Sequence, residues 1–127
     1  MAQQAWRTRV RRATEEAVRQ IVAGYHPERV ILFGSVARGD VHENSDIDLL
    51  VVKQTDRPFL RRIDDVMALV DVDVPVQAIV YTPEELGRLI REGRDFIRTA
   101  LAEGRVVYER PRESERAGGA AVASDGA

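Results

Sequence analysis

Two carboxylates and a glycine–serine turn are the residues of this chain whose types and spacing could do chemistry. Asp46 and Asp48 stand two positions apart at the start of a predicted strand, so both side chains are expected on the same face. Two negative charges at such a short distance repel each other unless a cation lies between them. Mg²⁺ is the natural cation, because it prefers one or two carboxylates completed by phosphate oxygens and water. The pair therefore predicts a magnesium site.

A phosphate-binding turn is predicted just before this pair. The apolar run 30–33 is typical of a buried strand, and it ends at Gly34 and Ser35. A strand that turns there into a helix leaves backbone N–H groups pointing outward, where they can bind phosphate oxygens. Gly34 would let the ligand approach the backbone, the Ser35 hydroxyl could donate to a phosphate, and Arg38 could neutralise phosphate charge.

Neither feature is specific alone, because most Gly-Ser pairs are turns and most Asp-x-Asp pairs are caps or solvated charges. Ten residues separate Ser35 from Asp46, with a predicted strand on each side. At that spacing one feature would bind the phosphates and the other would hold the metal that bridges to them. The combination favours a nucleotide site over two unrelated turns.

The elements that must position these residues alternate between helices and strands, which predicts an α/β or α+β domain with a small mixed sheet flanked by helices. Gly24 is predicted to stop the first helix, and Pro75 marks an edge or a strand start. Two helices are predicted over about 4–23 and 96–101, the second ending before Gly104, and about one helical turn is predicted at 35–38. Two more helices are predicted to begin near Pro58 and at Pro83, the latter after a capping box formed by Thr82 and Glu85. Strands are predicted over 30–33, 46–52, 72–80 and 106–108.

Composition indicates one domain, at residues 1–110, followed by a tail at 111–127 that lacks apolar periodicity and is predicted to be disordered. Apolar residues are 44% and charged residues 31%, an ordinary globular balance. No apolar run is long enough to span a membrane, and the first 20 residues do not resemble a signal peptide. Cysteine is absent, which excludes disulfides and thiolate metal sites and fits a cytoplasmic protein.

The charge is unevenly distributed. The net charge of −2 argues against broad nucleic-acid binding driven by total charge. Arginines nevertheless outnumber carboxylates in the first twenty residues, and this excess favours a solvated helix face over a polyanion site. The arginines are Arg7, Arg9, Arg11, Arg12 and Arg19.

The sequence resembles a known family. Gly-Ser-Val-Ala-Arg-Gly-Asp at 34–40, followed by Ser-Asp-Ile-Asp-Leu-Leu-Val at 45–51, is similar to the signature of the minimal nucleotidyltransferase branch of the DNA polymerase β-like nucleotidyltransferase superfamily. The segments 81–86 and 104–109 also look like that branch. The resemblance covers about residues 5–110 and is specific.

That resemblance implies a nucleotidyltransferase fold, a nucleoside triphosphate and Mg²⁺ as ligands, and transfer of a nucleoside monophosphate, AMP from ATP, onto a hydroxyl. It implies that Asp46 and Asp48 are the catalytic metal ligands and that Gly34, Ser35 and Arg38 bind the nucleotide. Many members that look like this chain are antitoxins that pair with a HEPN-domain toxin RNase and attach AMP to its tyrosine.

One position departs from the family pattern. The family has a third carboxylate on the strand beside the Asp-x-Asp strand, and aligning the capping-box segment places Gln77 there. A glutamine brings no charge and cannot accept a proton as a base. Asp73 lies four residues back, about 13 Å along an extended strand, so it could substitute only after a register shift. Nucleotide binding could survive this change while transfer slows or stops.

Three functions therefore compete: a nucleotidyltransferase acting on a protein partner, a nucleotide- or partner-binding module that has lost turnover, and an enzyme that modifies a small molecule or an RNA end. The chain is short for the third, because nothing in 111–127 looks like a second substrate-binding domain. His26 and His42 are predicted to be loop residues without a catalytic role. Trp6 and Phe96 are predicted to be core residues.

Overall fold

The computed structural model describes residues 2–111, apart from the side chain of Gln3. The predicted tail from 112 onward lies outside the described residues. The elements within them alternate much as the apolar patterns predict. In chain order they are α1 (Ala2–Tyr25), β1 (Arg29–Phe33), α2 (Gly34–Ala37), β2 (Ile47–Val52), α3 (Phe59–Met67), β3 (Val76–Tyr81), α4 (Pro83–Arg91), α5 (Asp95–Glu103) and β4 (Arg105–Glu109).

The strands form one mixed sheet in the order β3-β2-β1-β4. β2 runs antiparallel to β1 and parallel to β3, while β4 pairs antiparallel with the other edge of β1. The predicted small mixed sheet flanked by helices is therefore confirmed. None of the helices within residues 2–111 combines the length and apolar character of a membrane span.

Both faces of the sheet are covered, which explains why β1 and β2 are continuous apolar runs. Successive residues of a strand point to opposite faces, so Leu49 joins the cluster that contains α1 and α3 residues. Leu50 joins the cluster that contains α4 and α5 residues, including Leu86 and Ile97. These strand side chains are fully buried, so β2 is packed on both faces between the helical layers.

Two predicted boundaries are wrong. Gly24 does not stop α1, which continues to Tyr25 before His26 turns the chain with a positive φ of 54°. Gly24 is in close contact with α3's neighbour Leu69, since a Cβ at Gly24 would lie 2.6 Å from Leu69 Cδ2 and would displace that side chain. The third strand begins at Val76 rather than at 72, so Pro75 immediately precedes the strand.

The two aromatic residues predicted for the core, Trp6 and Phe96, differ in how far they are buried. Trp6 is partly buried and packs against the cluster beneath α1, as predicted. Phe96 is 49% exposed, and its prediction as a core residue is wrong. Its ring meets Phe33 edge-on at a centroid distance of 5.5 Å, so it caps the end of β1 from the surface.

A buried ion pair joins α3 to the start of α4. Arg62 is 5% exposed and donates to both carboxylate oxygens of Glu85, at 2.7 and 3.1 Å. Glu85 also completes the predicted capping box: its carboxylate accepts from the Thr82 N–H, and its own N–H donates to the Thr82 hydroxyl. The hydrogen bonds from Arg62 lower the pKa of Glu85, against the opposing effect of burial.

We expect Glu85→Ala to lower the free energy of unfolding at neutral pH by about 2–4 kcal/mol, because the buried Arg62 would lose its charged partner. A carboxylate whose pKa is lowered by folding adds stability above its unfolded pKa and loses that contribution as the pH falls through the folded value. The difference from the wild type should therefore shrink in acid. Urea denaturation at neutral and acidic pH measures it.

The matched control is Glu84→Ala, which removes an exposed carboxylate from the same helical turn. Its effect should stay within about 1 kcal/mol. Equal losses for the two variants would show that the pair with Arg62 does not stabilise the fold.

Candidate active site

Asp48 lies on β2 between the ends of two neighbouring strands. Its Cα partners are Phe33 on β1 and Gln77 on β3, so the three side chains share one face of the sheet. Asp46 precedes the first residue of β2, and its carboxylate lies near the same edge. Both aspartates are partly exposed, which leaves their oxygens accessible to a ligand.

The Asp46 carboxylate is close enough to oppose the ionisation of Asp48. Burial raises the pKa of Asp48, and the negative charge of Asp46 raises it further. The positive charge of Arg38 acts in the opposite direction but does not cancel these effects. Asp48 thus carries its charge at a cost that a bound cation would relieve.

The glycine–serine turn packs directly against Asp48. Gly34 has a φ of +78°, and a Cβ built there would lie 2.4 Å from Asp48 Oδ2. Gly34 is also the first residue of α2, whose leading N–H groups have no acceptor within that helix. The structure therefore brings together the two features that the sequence singled out, and glycine is required for both the backbone conformation and the close approach.

Arg38 is held beside the site by a contact that the sequence analysis missed. Its guanidinium donates to Glu103 Oε1 of α5 at 3.0 Å, and its side chain is 48% exposed. The two residues are 65 positions apart, so no local pattern predicts the pair. A triphosphate at α2 would compete with Glu103 for the same guanidinium.

The third-carboxylate position is occupied by Gln77, which faces the pair. Gln77 is exposed, and its Nε2 donates to Asp46 Oδ2 at 3.5 Å. The register pairs Gln77 with Asp48, while Asp73 lies outside β3 and forms an ion pair with Arg9 at 3.1 Å. Asp73 therefore does not replace the missing charge.

The donor set fits one Mg²⁺ better than two. Among residues 2–111 no group of three or more histidine, cysteine or acidic side chains could hold a metal. Two carboxylates beside a phosphate-binding turn suit a cation that takes its remaining ligands from phosphate and water. The carbonyl oxygen of the Gln77 side chain could serve as an additional, uncharged metal ligand at this edge of the sheet.

The loop before Asp46 is fixed by its own polar residues. Ser45 is buried, and its hydroxyl accepts from the His42 N–H at 2.8 Å. His42 Nδ1 accepts from the Asn44 N–H at 3.1 Å, so its ring shapes the loop. His26 is exposed at the end of α1. Ser45 belongs to the segment that carries the family resemblance, but no role is predicted for it from the sequence, although serine hydroxyls often bond nearby backbone groups in turns.

Comparisons with known proteins agree on one family. A family model described as "Polymerase beta, Nucleotidyltransferase" matches residues 16–113. A protein of Methanocaldococcus jannaschii, provisionally named a protein adenylyltransferase, is 36% identical over 99 residues, which are 76% of this chain and 96% of that protein.

Two solved structures share the fold. A provisionally identified nucleotidyltransferase from Sulfolobus solfataricus superimposes with a TM-score of 0.62 at 22% identity, covering 87% of this chain and 89% of the other. A chain from a crystal structure of a toxin–antitoxin with AMP-PNP gives a TM-score of 0.52 at 14% identity, covering 89% and 86%.

We expect Gly34→Ala to weaken binding of Mg²⁺-ATP by about tenfold or more, because the new methyl group would displace the Asp48 carboxylate. It should also lower stability by about 1–2 kcal/mol, since alanine is strained at a positive φ. Calorimetric titration and thermal unfolding measure the two effects.

Gly39→Ala is the matched control for this substitution. Gly39 has a φ of +86°, and nothing lies within 4 Å of a Cβ built there. It should therefore lose similar stability while keeping its affinity for the nucleotide. If both variants bind equally well, the close approach of Gly34 to Asp48 has no role in the site.

Proposed function

We propose that this chain, which belongs to the polymerase β nucleotidyltransferase family, transfers AMP from ATP onto a hydroxyl group of a protein partner. As a member of that family it is a nucleotidyltransferase. The observation that carries the proposal is the packing of Gly34 against Asp48, which joins a phosphate-binding turn to a carboxylate pair. The donor nucleotide, the acceptor and the roles of individual residues are parts of the proposal.

In the proposed reaction the acceptor oxygen bonds to the α-phosphorus of ATP. The bond from that phosphorus to the oxygen bridging to the β-phosphate breaks, pyrophosphate leaves, and the hydroxyl proton passes to solvent. The N–H groups of Gly34 and Ser35 hold phosphate oxygens, and the Ser35 hydroxyl donates to another. Arg38, released from Glu103, neutralises part of the triphosphate charge. Catalysis is then mainly positioning and charge neutralisation.

Asp46 and Asp48 would hold the metal in this proposal. Mg²⁺, when bound, supplies positive charge that offsets the charge of the phosphates and of the leaving group. Burial and, after it, the charge of Asp46 raise the pKa of Asp48, and a cation held by the two carboxylates would offset both effects. The site is thus electrostatically prepared for a cation rather than for an isolated anion.

The proposed partner is a HEPN-type protein in a toxin–antitoxin pair, with this chain as the antitoxin. Support comes from the resemblance of residues 34–51 to antitoxins that modify such toxins. The provisional name of the archaeal relative, protein adenylyltransferase, agrees with a protein acceptor. A chain of similar fold comes from a toxin–antitoxin with AMP-PNP.

A second function, binding without efficient turnover, is favoured by Gln77. In a two-metal reaction a third carboxylate helps to place the metal that activates the attacking hydroxyl. Gln77 lies where that carboxylate is expected, and its amide group already donates to Asp46. An antitoxin that binds its partner and ATP but transfers AMP slowly would have this site.

We expect Asp46→Asn and Asp48→Asn each to weaken Mg²⁺-dependent ATP binding by about tenfold or more, because each removes one of the two charged ligands. Titration with and without Mg²⁺ measures the effect, and circular dichroism checks that the fold is retained. Asp40→Asn, in the exposed part of the same loop, is the control and should bind normally. Unchanged curves for both site variants would rule out their assignment as metal ligands.

We expect Gln77→Asp to raise the rate of AMP transfer by about tenfold or more, equivalent to about 1.4 kcal/mol of barrier. The substitution restores a carboxylate opposite Asp48, where it can hold a metal and accept a proton. Pyrophosphate release with the partner protein present measures the rate, and Gln77→Glu tests whether carboxylate position matters. A brisk wild-type reaction that Gln77→Asp leaves unchanged would contradict a role for this position.

A further inference from the structure

The arginines of α1 divide into two groups in the structure. Arg9 and Arg19 form ion pairs with nearby carboxylates. Arg7 and Arg11, one helical turn apart, instead line a cleft of about 530 Å³ between α1, the sheet and the loop after α2. Arg105 of β4 lines the same cleft. Among residues 2–111 no carboxylate lies within ion-pair distance of Arg7, Arg11 or Arg105.

The interior of this arginine cleft is aliphatic. Its accessible apolar floor is formed by Val36, Ala37 and Val107, which are partly exposed. Val10 and Leu32 are buried beneath them. Glu15 is the single carboxylate among the described lining residues, so three positive charges face one negative charge. The cleft therefore combines an apolar floor with a positive rim.

This combination selects the chemistry of the occupant. An anion alone would leave the aliphatic floor uncovered, and a purely apolar segment would leave the guanidinium groups without partners. RNA is a weaker match, because single-stranded RNA is bound largely by stacking on aromatic rings. None of the described lining residues is aromatic. A peptide segment with carboxylates beside aliphatic side chains satisfies both parts of the surface.

The cleft adjoins the nucleotide site. Val36 and Ala37 belong to α2, directly after Ser35, and Gly39 follows in the same loop. A partner seated in the cleft would contact α2 directly after the turn that we assign to the phosphates. The cleft is therefore well placed to hold the protein whose hydroxyl is modified.

We infer that the arginine cleft is the docking site for an acidic, aliphatic segment of the protein acceptor, an inference that rests on the proposed function. The acceptor would then be recognised by charge and apolar contact at the cleft, apart from the residue that receives AMP. Docking should require neither ATP nor Mg²⁺. It should weaken as the ionic strength rises, because the rim charges are exposed.

The test measures peptide binding to the full chain by fluorescence polarisation without nucleotide. The probes are a labelled leucine–glutamate peptide with leucines at helical spacing, a serine–glutamate peptide of equal charge, a leucine–lysine peptide and oligouridylate. Arg7→Glu/Arg11→Glu is compared with Arg9→Glu/Arg12→Glu, which reverses two charges on the same helix outside the cleft. Asp48→Asn separates docking from transfer.

We expect the leucine–glutamate peptide to bind the wild type and to bind Arg7→Glu/Arg11→Glu about tenfold more weakly or worse. That variant should gain affinity for the leucine–lysine peptide. The Arg9→Glu/Arg12→Glu and Asp48→Asn proteins should bind as the wild type does, and the serine–glutamate peptide should bind weakly throughout. If the leucine–glutamate peptide binds as expected but no AMP transfer is found, the proposed function would be contradicted and the docking site would stand.

Three results would overturn the inference. Equal losses in the two charge-reversal variants would show non-specific attraction to α1. Equal affinity for the serine and leucine peptides would show that the aliphatic floor is not used. Tighter binding of oligouridylate than of the leucine–glutamate peptide, lost with Arg7→Glu/Arg11→Glu, would make the cleft a nucleic-acid site.

Discussion

The pairing of β2 between β1 and β3 is the interaction on which the candidate site depends. It places Phe33 on one side of Asp48 and Gln77 on the other. A slip of one residue would turn Asp48 toward the α1 face and bury it in the aliphatic core. That slip is opposed because the α1 face of β2 is lined by fully buried Ile47, Leu49 and Val51, among which an unpaired carboxylate would be costly. The apolar core thus fixes the position of the carboxylate.

The site itself is locally unfavourable, as functional sites often are. Asp48 has a raised pKa beside a second carboxylate, and Gly34 holds a left-handed backbone against it. The rest of the fold must offset the free-energy cost of this arrangement. The buried Arg62–Glu85 pair is arranged differently, because there two opposite charges form hydrogen bonds with each other. A cation and a triphosphate would supply at the site what Arg62 supplies to Glu85. A ligand site therefore differs from a structural ion pair in that its charges are not balanced by opposite charges from the protein.

The parts that could be predicted from the sequence are those governed by local rules. The Thr82–Glu85 capping box was predicted because its partners are three residues apart, and β2 was predicted from its apolar run. Local patterns do not reach contacts between distant residues: the predicted helix end at Gly24 was wrong, where Leu69 packs against the glycine, and the pair of Arg38 with Glu103 was not predicted at all. The strand predicted over 72–80 failed at its start, because Val74 is buried in the core cluster without pairing in the sheet. Gln77 was located by family resemblance rather than by periodicity, and the strand register places it opposite Asp48.

We propose that this nucleotidyltransferase uses Asp46 and Asp48 to transfer AMP onto a protein. Intact-mass spectrometry of a co-expressed HEPN-type partner, incubated with ATP and Mg²⁺, tests it most directly. We expect the partner to gain the mass of one or more AMP groups, slowly with the wild-type chain and not at all with Asp48→Asn. A partner whose mass stays unchanged even with Gln77→Asp, under conditions where ATP is bound, would contradict protein AMP transfer as the function.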